Sequence, residues 1–119
     1  MKQRQIYRQG DVLLVPVRAV PANTAPVSRT RGVLQLAEGE TTAHVHVVKS
    51  RAATLRAAKD NAALRFLELK RSALLECEWT EPAKRGEKQR HDPVRLPPGV
   101  YRVIRQHEYR QGEMERVSD

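Results

Sequence analysis

The strongest strand signal in the chain is the stretch Pro93-Val94-Arg95-Leu96-Pro97-Pro98-Gly99-Val100-Tyr101-Arg102-Val103-Ile104-Arg105-Gln106-His107-Glu108-Tyr109. Its first part predicts a tight turn, because Pro98 presets φ and Gly99 tolerates a positive φ. From Val100 to Tyr109 the residues alternate in the manner of one long β-strand. The remaining residues, 110–119, form a polar tail. This stretch indicates a β protein.

Short strand signals recur upstream of this stretch, separated by turn residues. The predicted strands, in chain order, cover residues 7–18, 33–36, 41–48, 64–69 and 73–79. The second and third of them read as a hairpin that pivots at Gly39. Loops are predicted over residues 19–31, which contain two prolines, and over the charged residues 80–92. Many short strands with turn signals between them are typical of a sandwich or a barrel.

The stretch 51–77 fits two secondary structures. Alanines between residues 52 and 62 favour helix, whereas Thr54-Leu55-Arg56 followed by Lys59-Asp60-Asn61 fits a strand and a turn. We favour strand and turn because the flanking segments look β-rich. A helix over 62–77 remains an alternative, since leucine, alanine, glutamate and lysine are good helix formers.

Length and composition bound the fold to one domain over residues 1–119. A chain of 119 residues suits a single core, and its 39% hydrophobic content argues against wholesale disorder. Five aromatic residues mean that aliphatic side chains must fill most of that core. We therefore predict a mainly β, single-domain protein with a small cupin-like barrel or a sandwich.

The chain carries a net charge of +8 and has a pI of about 10.3. This balance favours anionic partners such as nucleic acid or a small anionic ligand, although an arginine-rich solvated surface gives the same charge. We expect anion or nucleic-acid contacts from Arg102, Arg105 and Tyr109, with Tyr101 as a second stacking residue. Further phosphate contacts are expected from Arg65, Lys70 and Arg110.

Cysteine content and the N-terminal sequence bear on the compartment. Cys77 is the only cysteine, so no intrachain disulfide forms, which fits a reducing compartment. The apolar run from Val12 to Val17 is too short for a membrane span or a signal sequence. We expect a cytoplasmic protein, or one delivered to a host cytoplasm if it is viral, with no membrane partner.

Two of the four histidines form a pair that can bind a metal. His44 and His46 are two apart in a predicted strand and therefore point to the same face. Such a pair is half of a site for Zn, Fe, Mn or Ni, and a catalytic metal usually takes three protein ligands. His91 is the preferred third ligand, with Glu76 and His107 as additional candidates. An ordinary polar strand face would show the same pattern.

Other catalytic signatures are absent from the sequence. It contains neither the Gly-x-Ser-x-Gly pattern of a serine nucleophile nor a glycine-rich phosphate loop. Cys77 lies in an apolar strand, which is typical of a buried small hydrophobe rather than of a nucleophile. Whether the protein is an enzyme is left open by these patterns.

Three segments resemble a group of small uncharacterised bacterial and phage proteins. They are Arg8-Gln9-Gly10-Asp11-Val12-Leu13-Leu14, Gly39-Glu40-Thr41-Thr42-Ala43-His44-Val45-His46 and the stretch from His91 to Tyr109. The group shows the motifs Gly-His-x-His and His-x-Pro-Ile-x-Leu-Pro-Pro-Gly-x-Tyr at the corresponding places.

More distantly, a His-x-His pair followed later by a Pro-Gly turn resembles the cupin superfamily. This resemblance implies a small β-barrel with His44 and His46 as metal ligands. It also implies a homodimer paired through edge strands. Tyr101 and Arg102 stand where cupins carry a histidine after the turn.

Three functions are therefore weighed. The first is a cupin-like protein with a histidine-based metal or small-anion site. The second is a basic nucleic-acid-binding accessory protein. The third is an interaction module without catalysis, in which the loops over 19–31 and 80–92 form contact surfaces.

Overall fold

The computed structural model describes residues 5–38, 44–79 and 91–106. Those residues form ten β-strands and no α-helix. The strands β1 to β10 are, in order, Tyr7–Gln9, Val12–Val17, Thr24–Pro26, Leu34–Glu38, His44–Val48, Ala53–Ala58, Asn61–Leu69, Ala73–Trp79, Val94–Leu96 and Gly99–Arg105. Within the same residues, no helix is long and apolar enough to cross a membrane.

The strands form two antiparallel sheets. The larger sheet has six strands in the order β1-β2-β10-β7-β6-β3, and the smaller has four in the order β4-β5-β8-β9. The strong strand signal at the C-terminus becomes β10, which pairs with β2 on one side and with β7 on the other. The described strands make two open sheets and no closed barrel. The mainly β prediction is confirmed, and the cupin-like barrel is not.

One apolar core lies between the two sheets. Alternate residues of each strand face inward, so that Leu14, Leu55 and Leu67 from the larger sheet share a cluster with Leu75 and Leu96 from the smaller. All five leucines are fully buried. Aliphatic side chains therefore supply most of the core, as the composition predicted.

Two sequence predictions were wrong in detail. The opening strand over 7–18 is broken at Gly10-Asp11 into the antiparallel pair β1 and β2, because Gly10 adopts a φ of +60° and reverses the chain. The predicted loop over 19–31 contains β3, which pairs with the edge of β6. Pairing with a neighbouring strand overrode the weak β propensity of this proline-containing segment.

Other predictions are confirmed by the strand pairing. The ambiguous stretch 51–77 forms strands β6, β7 and part of β8, so the helix alternative is wrong. Strands β4 and β5 pair as the predicted hairpin, with a bulge between Gln35 and Ala37. Its pivot Gly39 lies outside the described residues, as do residues 80–90 of the charged loop and 107–119 with the polar tail.

Candidate functional site

A group of polar side chains is buried at one end of the core. Gln9 is the last residue of β1, Asp11 lies in the turn between β1 and β2, His46 belongs to β5, and Gln106 directly follows β10. These are four of the five polar residues that are buried in the described part of the chain. Burial of polar groups costs free energy unless they are paired, so their concentration at one place marks a candidate site.

Gln9 connects the two sheets and sets the protonation of His46. Its Nε2 donates to the backbone oxygens of Leu75 and Asp92, each at 2.9 Å. Because two carbonyl acceptors fix the amide nitrogen, Oε1 must face Nδ1 of His46, which lies 2.8 Å away. An amide oxygen can only accept, so Nδ1 of His46 carries a proton and donates it. In the neutral ring, Nε2 therefore holds the lone pair.

The Nε2 atom of His46 faces a carboxylate. Oδ1 of Asp11 lies 3.6 Å from it, and both side chains are nearly inaccessible to solvent. This separation is too long for a direct hydrogen bond. Cys77 is directly across from His46 in the pairing of β5 with β8. It is buried, as predicted.

His91 is a second histidine at this site. Its ring stacks beside that of His46, with centroids 6.2 Å apart and planes inclined by 21°. The ring also lies against the backbone of Gly10, where an added Cβ would be 2.7 Å from Nε2 of His91. Glycine is therefore favoured at this turn for two reasons. It adopts the positive φ without strain, and it leaves the space that the imidazole of His91 occupies.

Two arginines and a glutamine border Asp11. Nη2 of Arg105 lies 3.9 Å from Oδ2 of Asp11, and the backbone N–H of Gln106 donates to the backbone oxygen of Asp11 at 2.8 Å. Arg8 donates in turn to the side-chain oxygen of Gln106. The last residues of β10 are thereby tied to the β1–β2 turn.

The predicted metal ligands are only partly brought together. His46 and His91 are neighbours, as proposed from the sequence. His44 belongs to β5, but its side chain is outside the described residues, and so is His107. Among described side chains, no three of histidine, cysteine, aspartate or glutamate form a group that could hold a metal. The three-ligand set of His44, His46 and His91 therefore stays a prediction.

Glu76, the further ligand candidate, is on the other face of its strand. It pairs with Val47, whereas Cys77 pairs with His46, and successive strand residues point to opposite faces. On the face of Glu76, Lys49 forms an ion pair with Glu78 at 2.5 Å. This hydrogen bond with Glu78 raises the pKa of Lys49 above its usual value. The structure thus associates both glutamates with Lys49 rather than with His46.

The expected anion contacts do not share one surface. Arg102 is exposed, whereas Arg105 belongs to the inward-facing series of β10 and is 25% exposed. Tyr101 is buried, and its hydroxyl donates to the backbone oxygen of Pro97 at 2.6 Å, which is incompatible with stacking on a base. Tyr109 and Arg110 lie outside the described residues.

Sequence reasoning missed the contributions of Gln9 and Asp11. Both belong to the segment Arg8-Gln9-Gly10-Asp11, which was predicted only as part of the opening strand and of a resemblance. A usable signal was the presence of an amide and a carboxylate on either side of a glycine between two apolar strand segments. The partners of these side chains are 35 or more positions away in the chain, so spacing alone did not reveal them.

The fold and the site define a small β-sandwich protein with a buried histidine–carboxylate pair. The chain belongs to the family described as a domain of unknown function (DUF8820), whose model matches residues 8–106. The matched range begins and ends at Arg8 and Gln106, the two residues that bind each other beside Asp11. No curated protein and no solved structure matches the chain.

Proposed function

We propose that the protein binds a divalent transition metal through Nε2 of His46 and the carboxylate of Asp11. The observation that carries this proposal is the hydrogen bond from Nδ1 of His46 to Gln9. A metal-bound histidine usually donates its other ring N–H to a neighbouring acceptor, which fixes the tautomer and the ring orientation. Gln9 has this role here, and the lone pair of Nε2 is on the side of Asp11.

The distance between the two ligand atoms fits a shared metal. Zinc lies about 2.1 Å from histidine nitrogen and from carboxylate oxygen, so that two such ligands at a tetrahedral angle are about 3.4 Å apart. Nε2 of His46 and Oδ1 of Asp11 are separated by 3.6 Å. The pair therefore requires little movement to accept a metal, whereas it is too far apart for a direct hydrogen bond.

We propose that a histidine is the third metal ligand. His91 is beside His46, and His44 precedes it by two residues in β5. Two imidazoles and one carboxylate suit Zn, Fe, Mn or Ni, and an open coordination position would allow metal-dependent chemistry on a small ligand. The cupin resemblance likewise implies His44 and His46 as metal ligands.

A cytoplasmic location is proposed with this function. Cys77 is the only cysteine of the chain and is buried, and a chain without an intrachain disulfide fits the reducing cytoplasm. Expression with a fractionation assay tests this location independently of the metal.

Metal affinity of the untagged protein tests the proposal. We expect one Zn²⁺ per chain, measured by titration calorimetry and by elemental analysis after gel filtration. Asp11→Asn should weaken binding at least about tenfold, because an amide is a poorer ligand than a carboxylate and lacks its charge. The matched control is Asp92→Asn, which makes the same change at an exposed carboxylate next to His91 and should leave the affinity unchanged.

The metal test has clear contrary outcomes. Absence of binding by the unchanged protein to Zn, Fe, Mn and Ni at millimolar concentration rejects the proposal. Equal weakening by Asp11→Asn and Asp92→Asn shows that surface charge, not a coordinated metal, governs the signal. Circular dichroism of each variant separates loss of a ligand from loss of the fold.

A further inference from the structure

Two buried donors at the end of β10 lack acceptors. Among the described residues, neither Nε of Arg105 nor Nε2 of Gln106 has a hydrogen-bond partner, although both atoms are shielded from solvent. Gln106 itself is only 4% exposed. A buried donor without an acceptor costs about 1–3 kcal/mol, and such a group in a native protein points to a missing partner such as a bound ligand.

Turning over the side-chain amide of Gln106 does not supply an acceptor. Arg8 donates to Oε1 of Gln106, so turning the amide over would place its NH₂ group against the guanidinium of Arg8. Nη2 of Arg105 lies 3.9 Å from Oδ2 of Asp11, which is beyond hydrogen-bond range. As arranged in the described residues, neither donor has an acceptor within hydrogen-bond range.

The charges around the two donors favour an anion of single charge. Arg105 lies close to the carboxylate of Asp11. Arg8 is bound to Gln106, whose backbone contacts Asp11. Among the described side chains, these two guanidinium groups and one carboxylate leave an excess of one positive charge. A monoanionic carboxylate neutralises that excess, whereas a phosphate dianion reverses it, and ionic acceptors form stronger hydrogen bonds than neutral ones.

We propose that Arg105 and Gln106 bind the carboxylate of a small organic acid at this position. Nε–H of Arg105 and Nε2–H of Gln106 each donate to a carboxylate oxygen, next to Asp11 and His46. This acid site is distinct from the proposed metal site, because its hydrogen-bond donors are protein side chains. They should therefore bind the acid in the metal-free protein as well. When a metal is also bound, the acid is held beside it.

Titration of metal-free protein with sodium acetate, followed by ¹H–¹⁵N NMR, tests this proposal. Metal is removed by a chelating resin, so that no soluble chelator competes. We expect saturable shifts of the Nε–H signal of Arg105 and of the side-chain amide of Gln106, and no such shifts with sodium chloride at equal ionic strength. Absence of saturable shifts with acetate overturns the proposal.

Variants that keep the charge or the fold sharpen the test. Arg105→Lys keeps the positive charge but removes Nε–H, and should weaken acetate binding about tenfold. Gln106→Glu keeps the acceptor for Arg8 but replaces the donor by an anionic oxygen, and should abolish binding. Arg102→Lys is the control, because it makes the same change at an exposed residue of the same strand; equal weakening by this control overturns the proposal.

The same titrations test which class of anion binds and whether its binding is independent of the metal. Tighter saturable binding of inorganic phosphate than of acetate overturns the assignment to a carboxylate. Acetate binding that persists in a protein unable to bind any metal contradicts only the proposed metal function. Metal binding without any acetate response contradicts only the present inference.

Discussion

Replacement of Gln9 by leucine should lower the free energy of unfolding by about 3 kcal/mol. Leucine has a similar volume, but it cannot bond the carbonyls of Leu75 and Asp92 or accept from Nδ1 of His46. Three polar groups lose their partner at once, and an unsatisfied buried group costs about 1–3 kcal/mol. Water can reach some of these three polar groups, which limits the summed loss of stability. Urea unfolding of both proteins measures the difference in unfolding free energy, provided that the slope of this free energy against urea concentration is unchanged.

The control for this change is Gln35→Leu, since Gln35 is exposed on β4. It should change stability by less than about 0.5 kcal/mol, as surface substitutions usually do. A loss at Gln9 no larger than at Gln35 would contradict the role given to Gln9. A second measurement is the ¹⁵N NMR spectrum of the imidazoles, in which Gln9→Leu should remove the preference of His46 for a proton on Nδ1.

Gly10→Ala should be destabilising and should displace His91. The new Cβ would lie 2.7 Å from Nε2 and 3.0 Å from Cδ2 of His91, so the imidazole must move. The backbone φ of +60° adds strain of about 1–2 kcal/mol for a residue with a Cβ. We expect a total loss of about 3 kcal/mol when the steric cost is included, and shifted ring signals of both His91 and His46.

Gly32→Ala separates the two contributions. Gly32 also has a positive φ, +84°, but no atom lies within 4 Å of a Cβ built there. This control should therefore lose only the backbone term, about 1 kcal/mol, and should leave the histidine signals unchanged. Equal losses at Gly10 and Gly32 would show that His91 does not occupy the space above Gly10. If His91 is the third ligand, Gly10→Ala also weakens Zn²⁺ binding.

The two site proposals depend on different atoms and can fail separately. Metal binding rests on the tautomer of His46 and its distance to Asp11. Acid binding rests on the donors of Arg105 and Gln106. Asp11 is the residue common to both, because it contacts His46 on one side and Arg105 on the other.

The sequence by itself determined the β-strand content of this protein and indicated one part of its candidate site. Alternation from Val100 to Tyr109 and the β-branched residues around His46 are local patterns, and local patterns dictate strands directly. They also indicated His46 and His91 as candidate site residues. The bend at Pro98 before β10 and the positive φ of Gly99, +150°, agree with the same kind of local pattern.

Only the tertiary structure decided which polar groups meet. Gln9 bonds to residues 37, 66 and 83 positions away, and such contacts depend on the order of strands in two sheets, which local spacing does not encode. The same order placed Glu76 on the face away from His46 and buried Tyr101 in the core. Strand periodicity determines that neighbours face opposite ways, but packing determines which face becomes the interior.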